Sequence, residues 1–368
     1  MNILQLSKSL HRGGVEDHIL TLAKNLNNLG HHVVVASDNL VEKETFEKEN
    51  IKVYLIRFQT KNPYHIIRNI KTLKKIIQKE KIEVVHCHWR ICAFYCECLR
   101  KYCNTNIPYV WTSHLAKIKN TKLLKNFTYF GDRIIAVSSD CRNMLMKEFG
   151  VDESKISVIY NGIPVTDYTN ITEDEIQKNR RLFKTQNKYV VTQLSRLSPV
   201  KNHECLIRAL DILINSDEIT NLICLITGTG DVEYQNTLIR MIQEKKLTDY
   251  VFLTGQVRAV DILNISDVMV LPSNVEGFPV SVLEGFAMKV PVIRTKTGGY
   301  NDVKSFCLPM EFNDAEQLAA YIKKLYEGEL ETSDMVSRAY EFILNECSDV
   351  KMTENILKIY NDFNHEKK

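Results

Sequence analysis

The chain has 368 residues, of which 44% are hydrophobic and 25% charged, and its formal net charge is +3. That length suits two domains, and the composition excludes a disordered, collagen-like or disulfide-scaffold chain. No apolar run approaches the roughly 18 residues of a membrane-spanning helix. Residues 1–8 lack a basic segment followed by a long apolar one, so a cytoplasmic protein without a secretory leader is expected.

In chain order, residues 3–6 read as a buried strand and Gly13-Gly14 as a tight loop. Residues 15–29 read as a helix with Ile19, Leu22, Ala23 and Leu26 on one face. Gly30 is placed to end that helix, because the residue past a helix end often turns left-handed and glycine does so without steric cost. A strand over 32–36 follows, completing a βαβ unit of a parallel sheet. Further buried strands are predicted over 53–56, 84–86, 109–112, 133–137 and 156–159, with a basic-faced amphipathic helix over 66–78. Residues 164–188, with Pro164, Asp167, Asn170 and a charged helical stretch near 172–183, break the rhythm and read as a connection. The alternation restarts with strands over 189–192, 222–226, 251–253, 268–271 and 290–293 and helices over 204–215, 232–244 and 281–288. The last two helices are expected near 315–327 and 352–361.

The expected fold class is therefore α/β, with two tandem Rossmann-like, doubly wound domains. The first covers 1–165, a linker 166–188 and the second 189–349, and a C-terminal helix near 350–365 is expected to pack back on the first. Ligands of such folds bind beyond the carboxyl ends of the strands, so two facing domains are expected to hold the chemistry in a central cleft.

The charge is uneven. Residues 1–170 hold 25 Lys/Arg and 16 Asp/Glu, a net +9, and the remainder is at −6. A basic half suits nucleic acid, and a phosphate-bearing acceptor or an anionic membrane surface equally well; the partners expected from the whole reading do not include nucleic acid. Five of the ten cysteines, Cys87, Cys92, Cys96, Cys98 and Cys103, lie in one stretch with His86 and His88. They lack the paired C-x-x-C spacing of structural zinc sites, so they read as buried, reduced thiols, and no metal site is expected.

The segment Ser273 to Glu284 lies between a strand and a helix and sets two carboxylates eight positions apart around a helix N-terminus. Unpaired N–H groups make such a terminus an anion site. Glu276 beside it is placed to grip sugar hydroxyls while the amides hold phosphate. Taken singly, Glu276 and Glu284 also read as ordinary helix charges. Arg196 and Lys201, after the strand at 189–192, are placed to converge on a diphosphate, the Arg as a fork and the Lys as a point charge. Surface cations are the plainer reading of both. Gly228-Thr229-Gly230 and Gly298-Gly299 are weak signals, each equally a tight βα turn. Gly13-Gly14 lets backbone approach a phosphate. His114 follows the strand ending at Thr112, at the cleft end of the sheet, where a lone His is as readily structural.

Together these motifs, in this order, resemble the retaining GT-B glycosyltransferases of family 4, over nearly the whole chain. The E-x7-E signature from Glu276 to Glu284, in EGFPVSVLEGFA, carries most of the likeness. Ser195 to Asn202 (S-R-L-x3-K-N), Gly13-Gly14-Val15-Glu16, Asn161-Gly162-Ile163-Pro164, and Pro291-Val292-Ile293 with Gly298-Gly299 add to it. The resemblance implies that Arg196 and Lys201 neutralise the donor diphosphate and that Glu284 binds the ribose hydroxyls. It implies that Glu276, with the amides near Gly277, Phe278, Pro279 and Val280, holds the sugar. Gly13 and Gly14 are then expected near the phosphates, His114 near the donor sugar, Gly228 and Gly230 in the donor site, and base recognition at Gly255, Gln256 and Val257. Ser195 stands where the family usually has Gly, and Asp302 where it usually has Glu.

The implied reaction moves a hexose or N-acetylhexosamine from a nucleotide-diphosphate sugar, a UDP-sugar in preference to GDP-mannose, to a glycan or lipid-linked acceptor. It proceeds with retention and without a required cofactor or metal, in bacterial cell-surface polysaccharide assembly on the cytoplasmic face of the inner membrane. Lys117, Lys119, Lys122 and Lys125, interleaved with Leu115, Ile118, Leu123, Leu124 and Phe127, read either as a contact with an anionic leaflet or as an ordinary amphipathic helix. Two rival readings stay open. One is a nucleotide-sugar 2-epimerase of the same layout. The other is a non-catalytic sugar-binding module, which leaves Arg196, Lys201, Glu276 and Glu284 without purpose.

Overall fold

The computed structural model describes residues 1–365 except 11–12, 40, 119–120, 122–126, 217–218 and 220. Most of the basic stretch at 117–125 therefore lies outside the described residues. The chain forms two compact units, Met1–Gly162 with Asp349–Lys368, and Ile163–Ser348.

The first unit holds seven parallel strands: β1 (Asn2–Ser7), β2 (His32–Ser37), β3 (Lys52–Leu55), β4 (Val84–Cys87), β5 (Tyr109–Ser113), β6 (Arg133–Ala136) and β7 (Ile156–Val158). Their order is β3-β2-β1-β4-β5-β6-β7. Helices α1 (Gly14–Asn28), α2 (Lys43–Lys48), α3 (Pro63–Lys79), α4 (Arg90–Cys103) and α5 (Ser139–Phe149) link them. The central strands are short apolar runs buried along nearly their whole length, as parallel sheets covered on both faces require. Local signals set the helix ends. Asn62 accepts from the Tyr64 N–H, with Pro63 as the first residue of α3. Gly30 follows α1 at φ +83°, as the sequence predicts.

The second unit holds β8 (Tyr189–Leu194), β9 (Leu222–Thr227), β10 (Val251–Gly255), β11 (Val268–Leu271), β12 (Val292–Thr295) and β13 (Leu308–Met310), parallel in the order β10-β9-β8-β11-β12-β13. Its helices are α6 (Glu173–Leu182), α7 (His203–Asn215), α8 (Val232–Glu244), α9 (Ala259–Leu263), α10 (Val280–Ala287), α11 (Tyr300–Val303), α12 (Ala315–Tyr326) and α13 (Ser333–Glu346). The stretch read as a connection packs here. Thr172 and Glu175 form a capping box on α6, and Ile176 and Phe183 cover Val190, Ile223, Leu225, Ile262 and Ile265.

The chain then returns to the first unit through α14 (Asp349–His365), whose Met352, Ile356, Ile359, Tyr360 and Phe363 join the core formed by Ile3, Leu22, Val33 and Val35. Helix α13 falls between the two helices expected to be last. It buries only Ala339 and Ile343, too narrow a stripe to read as a period. Helix α2 was likewise unpredicted and buries only Phe46. No helix among the described residues is long and apolar enough to cross a membrane.

Candidate active site

In the second unit the strand order reverses between β8 and β11, the point where doubly wound sheets open a crevice at their carboxyl edge. The loop after β8 carries Arg196 and Lys201, and the loop after β11 carries Glu276. Lys201 Nζ lies 2.6 Å from Glu276 Oε1, with the two side chains 19% and 8% exposed. The Asn274 N–H also donates to the Val200 carbonyl at 2.8 Å, so the loops are joined twice. Arg196, by contrast, is exposed.

The Arg196 loop is shaped by its neighbours. The N–H groups of Ser195 and Leu197 donate to the carbonyls of Thr227 and Thr229, both at 3.0 Å. A Cβ added at Gly228, where φ is +140°, would stand 2.2 Å from the Ser195 carbonyl oxygen; one at Gly230 would stand 2.0 Å from that of Leu197. Both glycines are thus required for this close approach of backbone to backbone. Ser195, the departure from the family pattern, is an anchor: its Oγ lies 3.0 Å from His203 Nε2 and accepts from Gln193 Nε2 at 3.3 Å. Gln193 also donates to the Lys201 carbonyl at 2.9 Å. Burial, and then the charge of Lys201, lowers the His203 pKa to about 3, so the ring ties the loop down without adding charge.

Glu284 lies in α10 and accepts from the Tyr168 hydroxyl at 2.7 Å. Tyr168 ends the 3-10 turn Val165–Tyr168, and nothing in its local pattern announces a partner 116 positions away. Pro279 precedes α10, Val280 opens it, and no side chain caps it, which is the kind of terminus that receives anions. Phe278 is buried. A Cβ on Gly299, at φ +75°, would come within 2.7 Å of the Phe278 ring and 2.8 Å of the Gly277 carbonyl oxygen. The second double glycine therefore serves the shape of the Glu276 loop. After β10, Gln256 is exposed, while Val257 is half-buried and packs on the core.

In the first unit the reversal lies between β1 and β4. Gly13 caps α1 and Gly14 is its first residue; the helix brings His18 to a cluster with His86, His88 and His114. His88 Nε2 is 3.0 Å from Gln5 Oε1, and His88 Nδ1 is 3.1 Å from His114 Nε2. A carbonyl oxygen only accepts. His88 is therefore assigned its proton on Nε2, its Nδ1 accepts from the His114 Nε2–H, and His114 keeps a lone pair on Nδ1. His86 is held at 2.6 Å by both the Tyr360 hydroxyl and Thr112 Oγ1. Desolvation lowers the pKa of His18 to about 4 and takes His86, His88 and His114 well below the ordinary value, each of these three also opposed by charge on its neighbours. Neutral rings can stack, as His88 and His114 do at 5.4 Å between centroids.

One nitrogen each of His18, His88 and His114 lies within 4.8 Å of the others, the one such three-ligand set among the described residues. Imidazoles of this kind suit a zinc-like dication, although His88 already engages Gln5 and His114. The sequence reading missed the cluster because its members come from α1, β4 and the residue after it, and the loop after β5. All ten cysteines are free thiols, nine of them buried. Cys92 and Cys96 share the inner face of α4.

Two family models match the chain, Glycosyltransferase Family 4 over residues 12–167 and Glycosyl transferases group 1 over residues 174–342. The phosphatidylinositol N-acetylglucosaminyltransferase GPI3 subunit of Saccharomyces cerevisiae is 25% identical over 95% of this chain and 76% of that protein. The UDP-Gal:alpha-D-GlcNAc-diphosphoundecaprenol alpha-1,3-galactosyltransferase of Escherichia coli is 26% identical over 88% of each. The crystal structure of a glycosyltransferase from Rickettsia africae ESF-5 matches with a TM-score of 0.85 at 25% identity, over 98% of each chain. Anabaena Alr3699/HepE in complex with UDP-glucose shares the fold, with a TM-score of 0.85 at 20% identity over 98% of this chain and 100% of that one. With two parallel doubly wound sheets and these motifs at their switch points, the chain is a glycosyltransferase enzyme of the GT-B fold and belongs to glycosyltransferase family 4, the group 1 glycosyltransferases.

Proposed function

We propose that the enzyme transfers a hexose or N-acetylhexosamine from a nucleotide-diphosphate sugar to a hydroxyl of a lipid-linked glycan, with retention at the anomeric carbon, in assembly of a bacterial cell-surface polysaccharide. The observation that carries this reading is the Lys201–Glu276 pair at the β8/β11 crevice, with exposed Arg196 in the same loop. A cation held by a carboxylate is ready to exchange it for a diphosphate, which frees Glu276 for sugar hydroxyls. Glu284, steadied by Tyr168, takes the ribose. The relatives' names favour the acceptor class and the donor base. One acts on phosphatidylinositol and another on a diphosphoundecaprenol-linked sugar with UDP-Gal, so a UDP-sugar is preferred to GDP-mannose.

In the reaction the anomeric C–O bond to the donor phosphate breaks and a C–O bond to the acceptor oxygen forms on the same face. The departing phosphate oxygen takes the hydroxyl proton. The transition state has oxocarbenium character. Negative charge grows on the leaving diphosphate, where Arg196, Lys201 and the N-terminus of α10 stabilise it more than in the ground state. These groups supply the positive charge, so no divalent ion is required. His114, with its lone pair on Nδ1, accepts from a hydroxyl of the donor sugar. The enzyme works at the cytoplasmic face of an anionic inner membrane and does not act on nucleic acid.

A thermal-shift series with UDP, GDP and ADP in a chelating buffer, followed by their sugar conjugates, tests the donor. UDP at 100 times its Kd is expected to stabilise the protein by about 2.7 kcal/mol. No shift with any nucleotide would overturn the site built on Arg196, Lys201 and Glu284. An α-linked product from an α-linked donor would support retention.

A further inference from the structure

A groove of about 470 Å³ opens between α3 and α4 of the first unit, and none of the clustered histidines lines it. Helix α3 contributes Pro63, Ile67 and Ile70, and α4 contributes Phe94, Cys98 and Tyr102. Spacings of three and four put each set on one helical face. The rim is apolar yet open to water: Tyr102 is 79% exposed and Ile67 54%. Along α3 and the residues leading into it the charge has one sign. Residues 57–79 hold seven Lys/Arg and no Asp or Glu. Lys71 lines the groove itself, and Arg68 and Lys75 are exposed on the same helix. Lys74 Nζ donates to the Cys103 carbonyl at 3.0 Å, tying the two helices together, and exposed Lys101 sits 5.0 Å over the Tyr129 ring.

An apolar floor, an exposed tyrosine at the rim and the cations of α3 match the layers of an anionic bilayer surface. Ile and Tyr side chains enter the boundary between head groups and acyl chains, while Lys and Arg meet lipid phosphates. A second copy of the chain docking through the same face would bring its own cations to it and be repelled, and a neutral peptide would leave the cations unanswered. We propose that the α3–α4 face of the first unit seats the enzyme on an anionic bilayer. This deepens the reading of a lipid-linked acceptor and rests on that reading for its purpose, while the binding itself is measurable without turnover.

The test is co-sedimentation with phosphatidylcholine vesicles and with vesicles containing roughly 30% phosphatidylglycerol. It uses the full chain, Ile67→Ser/Tyr102→Ser and Lys71→Glu/Lys75→Glu, each checked for an unchanged Tm. The unaltered chain is expected to bind the anionic vesicles about ten-fold or more tightly than the neutral ones, less so at high salt. The serine pair is expected to weaken binding about ten-fold, and the charge reversal about twenty-five-fold or more, at roughly five-fold per cation. Equal binding to both vesicles, no binding, binding undiminished in both variants, or a dimer that the serine pair dissolves would each overturn the proposal. Turnover of a water-soluble acceptor should be the same in all three proteins. If the chain and both variants turn over no acceptor but the vesicle results hold, the acceptor reading falls and the membrane face stands.

Discussion

Arg196 and Lys201 carry like charges in one loop but stand in different surroundings. Arg196 is exposed, so Arg196→Ala should leave the fold intact and lower kcat about 10²–10³-fold, as loss of one group facing developing charge does. Lys201→Ala should lose at least as much turnover and also destabilise by up to about 3 kcal/mol, because Glu276 would be left mostly buried beside no cation. Kinetics and Tm measured on both variants separate the two effects, and an unchanged kcat in Arg196→Ala would sink its assigned role. The histidines set a second dependence. Unfolded rings take up protons below about pH 6.5, whereas His18 stays neutral down to about 4 and burial holds its three neighbours well below the ordinary value too. The unfolded chain therefore binds more protons in that window. Stability falls as pH drops from about 6.5 toward 4, by up to about 1.4 kcal/mol per pH unit per ring, and is insensitive to these rings above about 7. Thermal melts between about pH 7.5 and 5 should show the fall, with a shallower slope in His18→Gln. A flat profile would mean that the rings are not held neutral.

At the scale of elements, the glycines of the second unit are the sharpest constraint. Gly230→Ala would place a methyl group 2.0 Å from the Leu197 carbonyl oxygen. The loops after β8 and β9 must separate, and the loss should be about 2–4 kcal/mol together with most of the activity. Circular dichroism melts and an activity assay check this; a variant as stable and active as the parent would show that the loops tolerate separation. Strands and most helices were legible because their signals are local: β-branched runs, stripes spaced by three or four, and Gly30 at a helix end. Helices α2 and α13 were not, because each turns so few side chains inward; α4, α5, α9, α11 and β13 also went unread, although α4 and α5 bury six and four side chains. Gly228, Gly230 and Gly299 were visible as glycines, but the carbonyls and ring that require them come from other loops.

At the scale of the whole molecule, the last helix belongs to the first unit. Five large side chains of α14 are buried in that core, and Tyr360 bonds to His86 across 274 positions. At about 1.5–3 kcal/mol each, they are worth as much as the entire stability of a typical domain. A chain ending at Ser348 should therefore fail to hold the first unit folded while residues 163–348 persist. Limited proteolysis would show rapid loss of 1–162 beside a resistant fragment, and a resistant first unit would refute the role of α14.

By itself the sequence determined that the chain alternates strand and helix through two doubly wound units, and it singled out the charges proposed for the donor site, Arg196, Lys201 and Glu276 in loops and Glu284 in a helix. Those properties follow from residues a few positions apart, where periodicity and turn chemistry act. Only the tertiary structure decided that Lys201 pairs with Glu276, that Tyr168 reaches Glu284, that Ser195 is tied to His203, and that four histidines share one desolvated pocket. These contacts depend on which strands lie side by side and on how deeply each group is buried. Both are set by the packing of the whole sheet rather than by any segment's own pattern.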